Sequence, residues 1–452
     1  MTTADAAAAD IPAPDLKTVR RAVLASAIGN ATEWYDYSIF TSGVIATAIG
    51  NLFFPGGNAE VESLGLLAVG FVVRPLGGLF FGPLGDKLGR QRVLAVTIIL
   101  MCSCTFLVGV LPTYKTFGIG ALVLIMLLRL IQGFSTGGEY GGAATFISEY
   151  APVKRRGFFG SFLEFGTLSG YIFGQVVVLA VTLGLTHDQL YSWGWRIPFF
   201  VALPLGLAGL YLRIKLEDTP TFRALSARGE KAEKAPIKET FQKHWRTILQ
   251  LVAIVILLNV ADYLLLTTMP SYFTDQLHIG DTTSSIIIIA VEAGQMAVIW
   301  LLGGLSDRIG RRPLLLTSCI GFIVLSWPCI KLMQMGSVWA LVLGFAVVAF
   351  LLVLILAVIG STFPAMFPTR VRYGSFAIGY NVSTAIFGGT AGFVVTALIN
   401  ATGNKDWPAY YLIVAALIAL VPIIKLKETA GVPMEEIEAG DTGGEKVPSD
   451  TN

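Results

Sequence analysis

Asn30, Glu33, Trp34, Asp36 and Tyr37 set two carboxyls, an amide and two aromatic rings inside one apolar run. Asn30, Glu33, Trp34 and Tyr37 recur at i, i+3, i+4 and i+7, so a helix places them on one stripe, with Asp36 turned partly away. Counted from Arg21, Glu33 lies roughly 18 Å and Asp36 roughly 22 Å along such a helix. Other apolar runs hold Arg74, then Arg129, Gln132, Thr136, Glu139 and Tyr140 on one face, then Glu164. The second half contributes Asp262 with Tyr263, Glu292 with Gln295, and Asn381 beside Tyr380. A guanidinium, at Arg74 or Arg129, matches a carboxylate ligand in two-pronged geometry. Trp34, Tyr35, Tyr37, Tyr140 and Tyr263 could box a quaternary ammonium through cation–π contact. The plainer alternative is that acids and arginines neutralise one another and fix helix packing, with the rings as ordinary aromatics of apolar helices.

Charges inside apolar runs matter because the runs are long enough to cross a bilayer. Hydrophobic residues make up 54% of the 452 and charged residues 14%, with mean hydropathy +0.70. A soluble chain carries nearly twice that charged fraction. We read twelve spans near 21–50, 64–85, 93–113, 119–147, 157–184, 196–214, 247–273, 284–304, 314–333, 337–364, 374–400 and 408–426. The runs are continuous rather than alternating, which predicts an all-α bundle and excludes a barrel. Lys and Arg concentrate in alternate loops, which predicts a multi-pass protein of the cell (inner) membrane with both termini cytoplasmic. Residues 1–20 hold no apolar run with a cleavage site, so the first span is expected to direct insertion. Cys102, Cys104, Cys319 and Cys329 all fall in apolar spans and read as buried thiols, not disulfides or metal ligands.

A short phrase then divides the chain. Gly82-Pro-Leu-Gly-Asp-Lys-Leu-Gly-Arg-Gln-Arg92 returns half a chain later as Gly303-Gly-Leu-Ser-Asp-Arg-Ile-Gly-Arg-Arg-Pro313. The segments Glu149–Gly157 and Leu216–Pro220 also have counterparts, at Met366–Gly374 and Leu426–Ala430. Three landmarks in the same order imply duplication. They predict two pseudo-symmetric six-helix bundles, 21–214 and 247–426, after an N-terminal arm, 1–20. A charged linker, 215–246, joins the bundles and a polar tail, 427–452, follows them. Asp86 and Asp307 end the second span of each half. Each can hold a helix N-terminus or basic partner of the other half in one conformation only, which would gate the molecule. Arg90 and Arg311 are assigned to the same gates, although anchoring at the membrane face would suffice for them.

The hairpins, the twelve spans and the long central loop resemble the major facilitator superfamily. Gly29-Asn-Ala-Thr-Glu-Trp-Tyr-Asp-Tyr37, Arg74-Pro-Leu-Gly-Gly78, Gln132-Gly-Phe-Ser-Thr-Gly-Gly-Glu-Tyr140 and Trp193-Gly-Trp-Arg-Ile-Pro-Phe199 resemble its metabolite:proton symporter branch. That branch carries proline and glycine betaine, 2-oxoglutarate, citrate and shikimate. Met269-Pro-Ser-Tyr272, Pro364-Ala-Met-Phe-Pro368 and Pro408-Ala-Tyr-Tyr411 are most similar to its proline and betaine carriers. The resemblance implies proton-coupled import of a small solute by alternating access, with no cofactor beyond the proton gradient. The expected partners are solute, protons and lipid, with no nucleic acid, and the working unit is expected to be a monomer.

In this setting Glu33, Asp36 and Glu139 are the candidates for proton coupling. Trp34, Tyr37, Arg74, Arg129, Tyr140, Glu164, Asp262, Tyr263, Glu292 and Asn381 are the candidates for binding solute. Asp262 and Glu292 fall outside the osmolyte carriers' usual pattern, and suit a zwitterionic solute or additional proton binding. A carboxylate-metabolite symporter and an uncoupled facilitator are the alternatives. An enzyme is not expected. Ser135-Thr-Gly-Gly-Glu-Tyr-Gly-Gly142 lacks the Lys-Ser/Thr ending of a phosphate loop and sits inside a span, where small residues serve close packing.

Overall fold

The computed structural model describes residues 15–56, 59–215, 237–369 and 371–434. The remaining parts of the arm, the linker and the tail, with the Leu216–Pro220 landmark, lie outside them. The described chain is helical, and eleven of its helices are long and apolar enough to cross a membrane. The first crossing, α1, is the exception. It runs from Leu16 to Thr41, breaks at the extended residue Ser42, and resumes as Gly43–Phe53. Its carboxyls lower its hydropathy, but a second apolar piece completes the span.

The other crossings are α2 (Ala59–Leu88), α3 (Arg90–Val110), α4 (Ile119–Tyr150), α5 (Phe162–Gly184) and α6 (Ile197–Ile214). The second half holds α7 (Ile237–Tyr263), α8 (Asp281–Ile309), α9 (Arg311–Met333), α10 (Val338–Thr362), α11 (Arg372–Ser383) and α12 (Trp407–Ile424). The charged residues 237–246, read from sequence as linker, are the opening turns of α7. Two helices continue past a π-helical turn. In α7 it spans Leu264–Thr268, followed by a second at Tyr272–Gln276. In α11 it spans Thr384–Gly388, before helix resumes over Gly389–Thr402.

Within the first bundle α1 packs on α5, α6 and α4, α2 on α4, and α3 on α4 and α6. In the second, α7 packs on α11 and α12, and α10 on α8 and α9. The halves meet symmetrically, α2 against α11 and α5 against α8. Small residues permit the closest approach. A side chain on Gly137 would meet the backbone of Arg74, Gly77 and Gly78, and one on Gly133 would meet that of Gly70. In lipid, such contact supplies the packing that hydrophobic burial cannot.

The two hairpins share one backbone device. Gly89 follows Asp86 at the same spacing as Gly310 follows Asp307, and the two glycines adopt φ of 102° and 95°. This region strains any residue with a Cβ, so glycine ends α2 and α8 and lets α3 and α9 begin at once.

Candidate functional site

The stripe on α1 faces two arginines, one on each neighbouring helix. Glu33 Oε1 accepts from Arg74 Nη2 at 2.9 Å, and both residues are 2% exposed. Asp36 Oδ2 accepts from Arg129 Nη1 at 2.7 Å. The three-residue offset leaves the two acids about 60° apart around the helix axis, and Glu33 meets α2 while Asp36 meets α4. Thr105 completes the second pair by donating to Asp36 at 3.0 Å, while Gln132 accepts from Arg129 at 2.5 Å and donates to Thr105 at 2.9 Å. The guanidinium of Arg129 also lies 3.2 Å from the Phe40 ring centre. Its Nε and Nη2 remain without partners, as does Glu33 Oε2. A small cavity lined by Glu33, Asp36, Tyr37, Arg129, Gln132 and Thr136 lies between the two pairs.

Arg74 is where the two halves meet. Its Nη1 donates to Tyr37 at 2.9 Å and to Tyr263 of α7 at 3.4 Å, and its Nε to Asn381 of α11 at 3.4 Å. Asn381 in turn donates to the Gly137 carbonyl at 2.6 Å. Around this cation the rings of Trp34, Tyr37, Phe71 and Tyr263 contact one another with centres 5.2–5.7 Å apart. Tyr140 stacks on Tyr380 at 4.1 Å across the interface and donates to Glu164 at 2.6 Å. Asp262 and Glu292 are buried in the second half. Phe71 is absent from the sequence-based candidates, although it stands one turn before Arg74 on the same face.

Glu139 sits elsewhere. It pairs with Arg213 of α6 and accepts from Thr97 at 2.5 Å, inside the first bundle. From sequence only Arg74 and Arg129 count as cations within spans, and Arg213, 3% exposed, is a third. Its place near the end of α6 makes it resemble an anchor. The plain pairing of acids with arginines therefore describes Glu33, Asp36 and Glu139, whereas Asp262 and Glu292 have no such partner among the described residues.

On the face bearing the hairpins, each aspartate reaches the other half. Asp86 accepts from the Gly374 N–H at 2.9 Å, beside the start of α11. Asp307 accepts from Gly157 at 2.7 Å and Phe158 at 2.9 Å, on the turn leading into α5. Arg90 is 1% exposed and pairs with Glu149, which also accepts from Arg372 at 2.7 Å. These buried arginines do more than mark a membrane face. Arg311 donates to Thr429 at 2.7 Å, and Arg156 to the Val432 carbonyl at 2.9 Å, so the segment after α12 is tied to both halves.

Glu428 anchors that segment by accepting from the N–H groups of Arg311 and Arg312 at 2.9 and 3.0 Å. Burial works to raise its carboxyl, but the N–H groups of Arg312, Ala430, Arg311 and Thr429 outweigh it and hold it below the ordinary 4.5. A depressed folded value means the contribution is complete above that ordinary value and disappears as pH falls through the lower, folded one. Glu428→Gln should therefore lower the melting temperature of purified protein near neutrality. The gap from wild type should close in acid, and a gap independent of pH would contradict this assignment.

Comparison with known proteins adds an independent line. A model of the family described as "Sugar (and other) transporter" matches residues 22–240 and again 228–440. The chain is 42% identical over 437 residues to the proline/betaine transporter of Salmonella typhimurium, covering 94% of this chain and 87% of that protein. It is 41% identical over 437 residues to the glycine betaine/proline/ectoine/pipecolic acid transporter OusA of Dickeya dadantii, with the same coverage. Among solved structures, the major facilitator proton:xylose symporter XylE bound to 6-bromo-6-deoxy-D-glucose superposes with a TM-score of 0.77. That match covers 94% of this chain and 99% of the other at 18% identity, a likeness of fold.

Proposed function

The chain belongs to the major facilitator superfamily, in the family of sugar (and other) transporters, and we propose that it imports a small zwitterionic solute, such as proline or glycine betaine, together with protons. The observation that carries this reading is Arg74. It is a buried guanidinium at the junction of both halves, ringed by Trp34, Tyr37, Phe71 and Tyr263 and balanced by Glu33. The identity to carriers whose names include proline and betaine supports the same solute class.

The solute carboxylate engages Arg74, and the aromatic rings accommodate the ammonium end. As the carboxylate draws Arg74 away, Glu33 loses its counter-charge and takes up a proton. Solute and proton therefore load together. The Asp36–Arg129 pair, across the small cavity, is the second place where a proton can replace an ion pair. Glu139, locked to Arg213 and Thr97, is the weaker candidate. Access alternates as the bundles 21–214 and 247–426 rock around this site, with Asp86 and Asp307 as cross-half latches supported by Arg90 and Arg311. The hairpin face and both termini are assigned to the cytoplasm, the energy source to the proton gradient, and the working unit to a monomer.

The test is uptake of labelled proline into proteoliposomes under an imposed pH gradient, with glycine betaine, 2-oxoglutarate, citrate and shikimate as competitors. Glycine betaine should compete, and the multiply charged acids should not. Glu33→Gln or Asp36→Asn should abolish gradient-driven accumulation while solute counterflow, which needs no net proton movement, continues. Unchanged accumulation in both variants would remove the coupling scheme.

A further inference from the structure

Two carboxyls of the second half take no part in the ion pairs described above. Asp262 on α7 is 4% exposed and Glu292 on α8 is 1% exposed. Asp262 Oδ1 and both carboxyl oxygens of Glu292 lack a hydrogen-bond partner. The contrast with the first half is sharp, since Glu33, Asp36, Glu139 and Glu149 each face an arginine.

Among the described residues, no cation pairs with either acid. Asp262 and Glu292 lie within electrostatic reach of each other, and Asp262 within reach of Glu164 on α5. Tyr171 on α5 lies within electrostatic reach of both acids, and Tyr140 on α4, Tyr380 on α11 and Tyr263 on α7 within reach of Asp262. Arg74 donates to the Tyr263 hydroxyl at 3.4 Å and makes no ion pair with either acid. Glu164 already has Tyr140 as its donor. Tyr171 is also engaged, donating to the Leu266 carbonyl. The two acids are thus buried on different helices within electrostatic reach of each other, and neither has an ion-pair partner among the described residues.

A carboxylate buried without a partner costs several kcal/mol, and a second one within reach adds repulsion. A bound proton removes both penalties without needing a shaped cavity. A chain that retains two such groups inside a membrane needs a use for them, because an apolar pair of similar size would pack at lower cost.

We propose that Asp262 and Glu292 form a second proton-carrying site, separate from the ion pairs of the first half. Both carboxyls hold protons while the site is closed. When the cavity opens toward the side of lower proton concentration, an O–H bond breaks, the proton passes to water, and the hydrated carboxylate remains. The proposal rests on the symporter reading and deepens it, because the cycle then moves more than one proton per solute.

The experiment is the proton:solute stoichiometry, measured from the membrane potential at which net solute flux reverses in proteoliposomes at fixed pH and solute gradients. This is a thermodynamic ratio and does not depend on how fast a variant works. Wild type should give more than one proton per solute. Asp262→Asn and Glu292→Gln should each lower the ratio, and the double variant should lower it further.

An unchanged ratio in both single variants would overturn the proposal, as would a reversal potential that shifts with sodium instead of pH. Weakened solute binding at an unchanged ratio would assign the two acids to the solute's cationic end. A wild-type flux that ignores the pH gradient would instead defeat the symporter reading itself. If a variant fails to fold, infrared difference spectra of the wild-type protein decide. Solute-free protein at neutral pH should show protonated carboxyl bands that disappear on an alkaline jump, and their absence would refute the site.

Discussion

Arg74→Ala should lower solute kcat/KM by about 100-fold or more, and Arg74→Lys should restore only part of it. Truncating one partner of a buried ion pair costs about 3–5 kcal/mol, because the other charge is left uncompensated. Here that charge is Glu33, 2% exposed. Lysine keeps the charge but not the fork that contacts Glu33, Tyr37, Tyr263 and Asn381 at once. Part of the loss will be folding stability, and the double variant Arg74→Met with Glu33→Gln separates the two effects. It removes both charges together and should recover the yield and melting temperature of purified protein while transport stays absent. Recovery of transport in that variant would show that Arg74 only balances Glu33 and does not hold solute.

Asp307→Asn should shift the resting molecule toward a form open on the hairpin face by about tenfold or more, and adding Asp86→Asn should increase the shift. A hydrogen bond to a charged group contributes about 1.5–3 kcal/mol. Asp307 accepts two from Gly157 and Phe158, whereas Asp86 accepts one from Gly374. Spin labels on Lys87→Cys and Arg308→Cys, exposed positions on opposite halves, report the change as a longer distance population. Because Asp86 lies about 18 Å from Arg74 along α2, and both aspartates accept only from main chain across the interface, solute affinity of the opened form should change little. An unchanged distance distribution in the double variant would leave the hairpins as membrane anchors alone.

The crossings were legible because charge bounds them: apolar runs end in Lys- or Arg-bearing turns, and the Asp-x-x-Gly-Arg phrase marks two of those ends by its glycine. The break at Ser42 was not legible, since serine is ordinary inside apolar helices. Nor were the π-helical turns in α7 and α11, because Pro270 and Gly388-Gly389 signal a weakened helix without saying that it widens to a π turn. The candidate residues on α1, α2 and α4 were visible as charges where charge is costly. Which acid meets which arginine was not, because that depends on the rotation of α1 against α2 and α4. Arg213 escaped for a related reason. One turn from a helix end, a buried arginine and a surface anchor have the same sequence neighbourhood.

The proposed latches meet main chain rather than side chain across the interface. Asp86 and Asp307 supply the acceptors, and any residue except proline supplies the N–H they bind. The close passages of Gly82 against Gly374 and of Gly157 against Gly303 add a steric condition at each contact. At these two points the closing surface is nearly blind to the side chains of its counterpart, whereas the buried pair of Glu149 with Arg372 is a side-chain match that both halves must keep. The two halves can diverge separately, one toward a new solute and the other not, without relearning how to fit together. A first half from this chain joined to the second half of a relative that keeps those glycines and aspartates and the arginine at 372 should still shut.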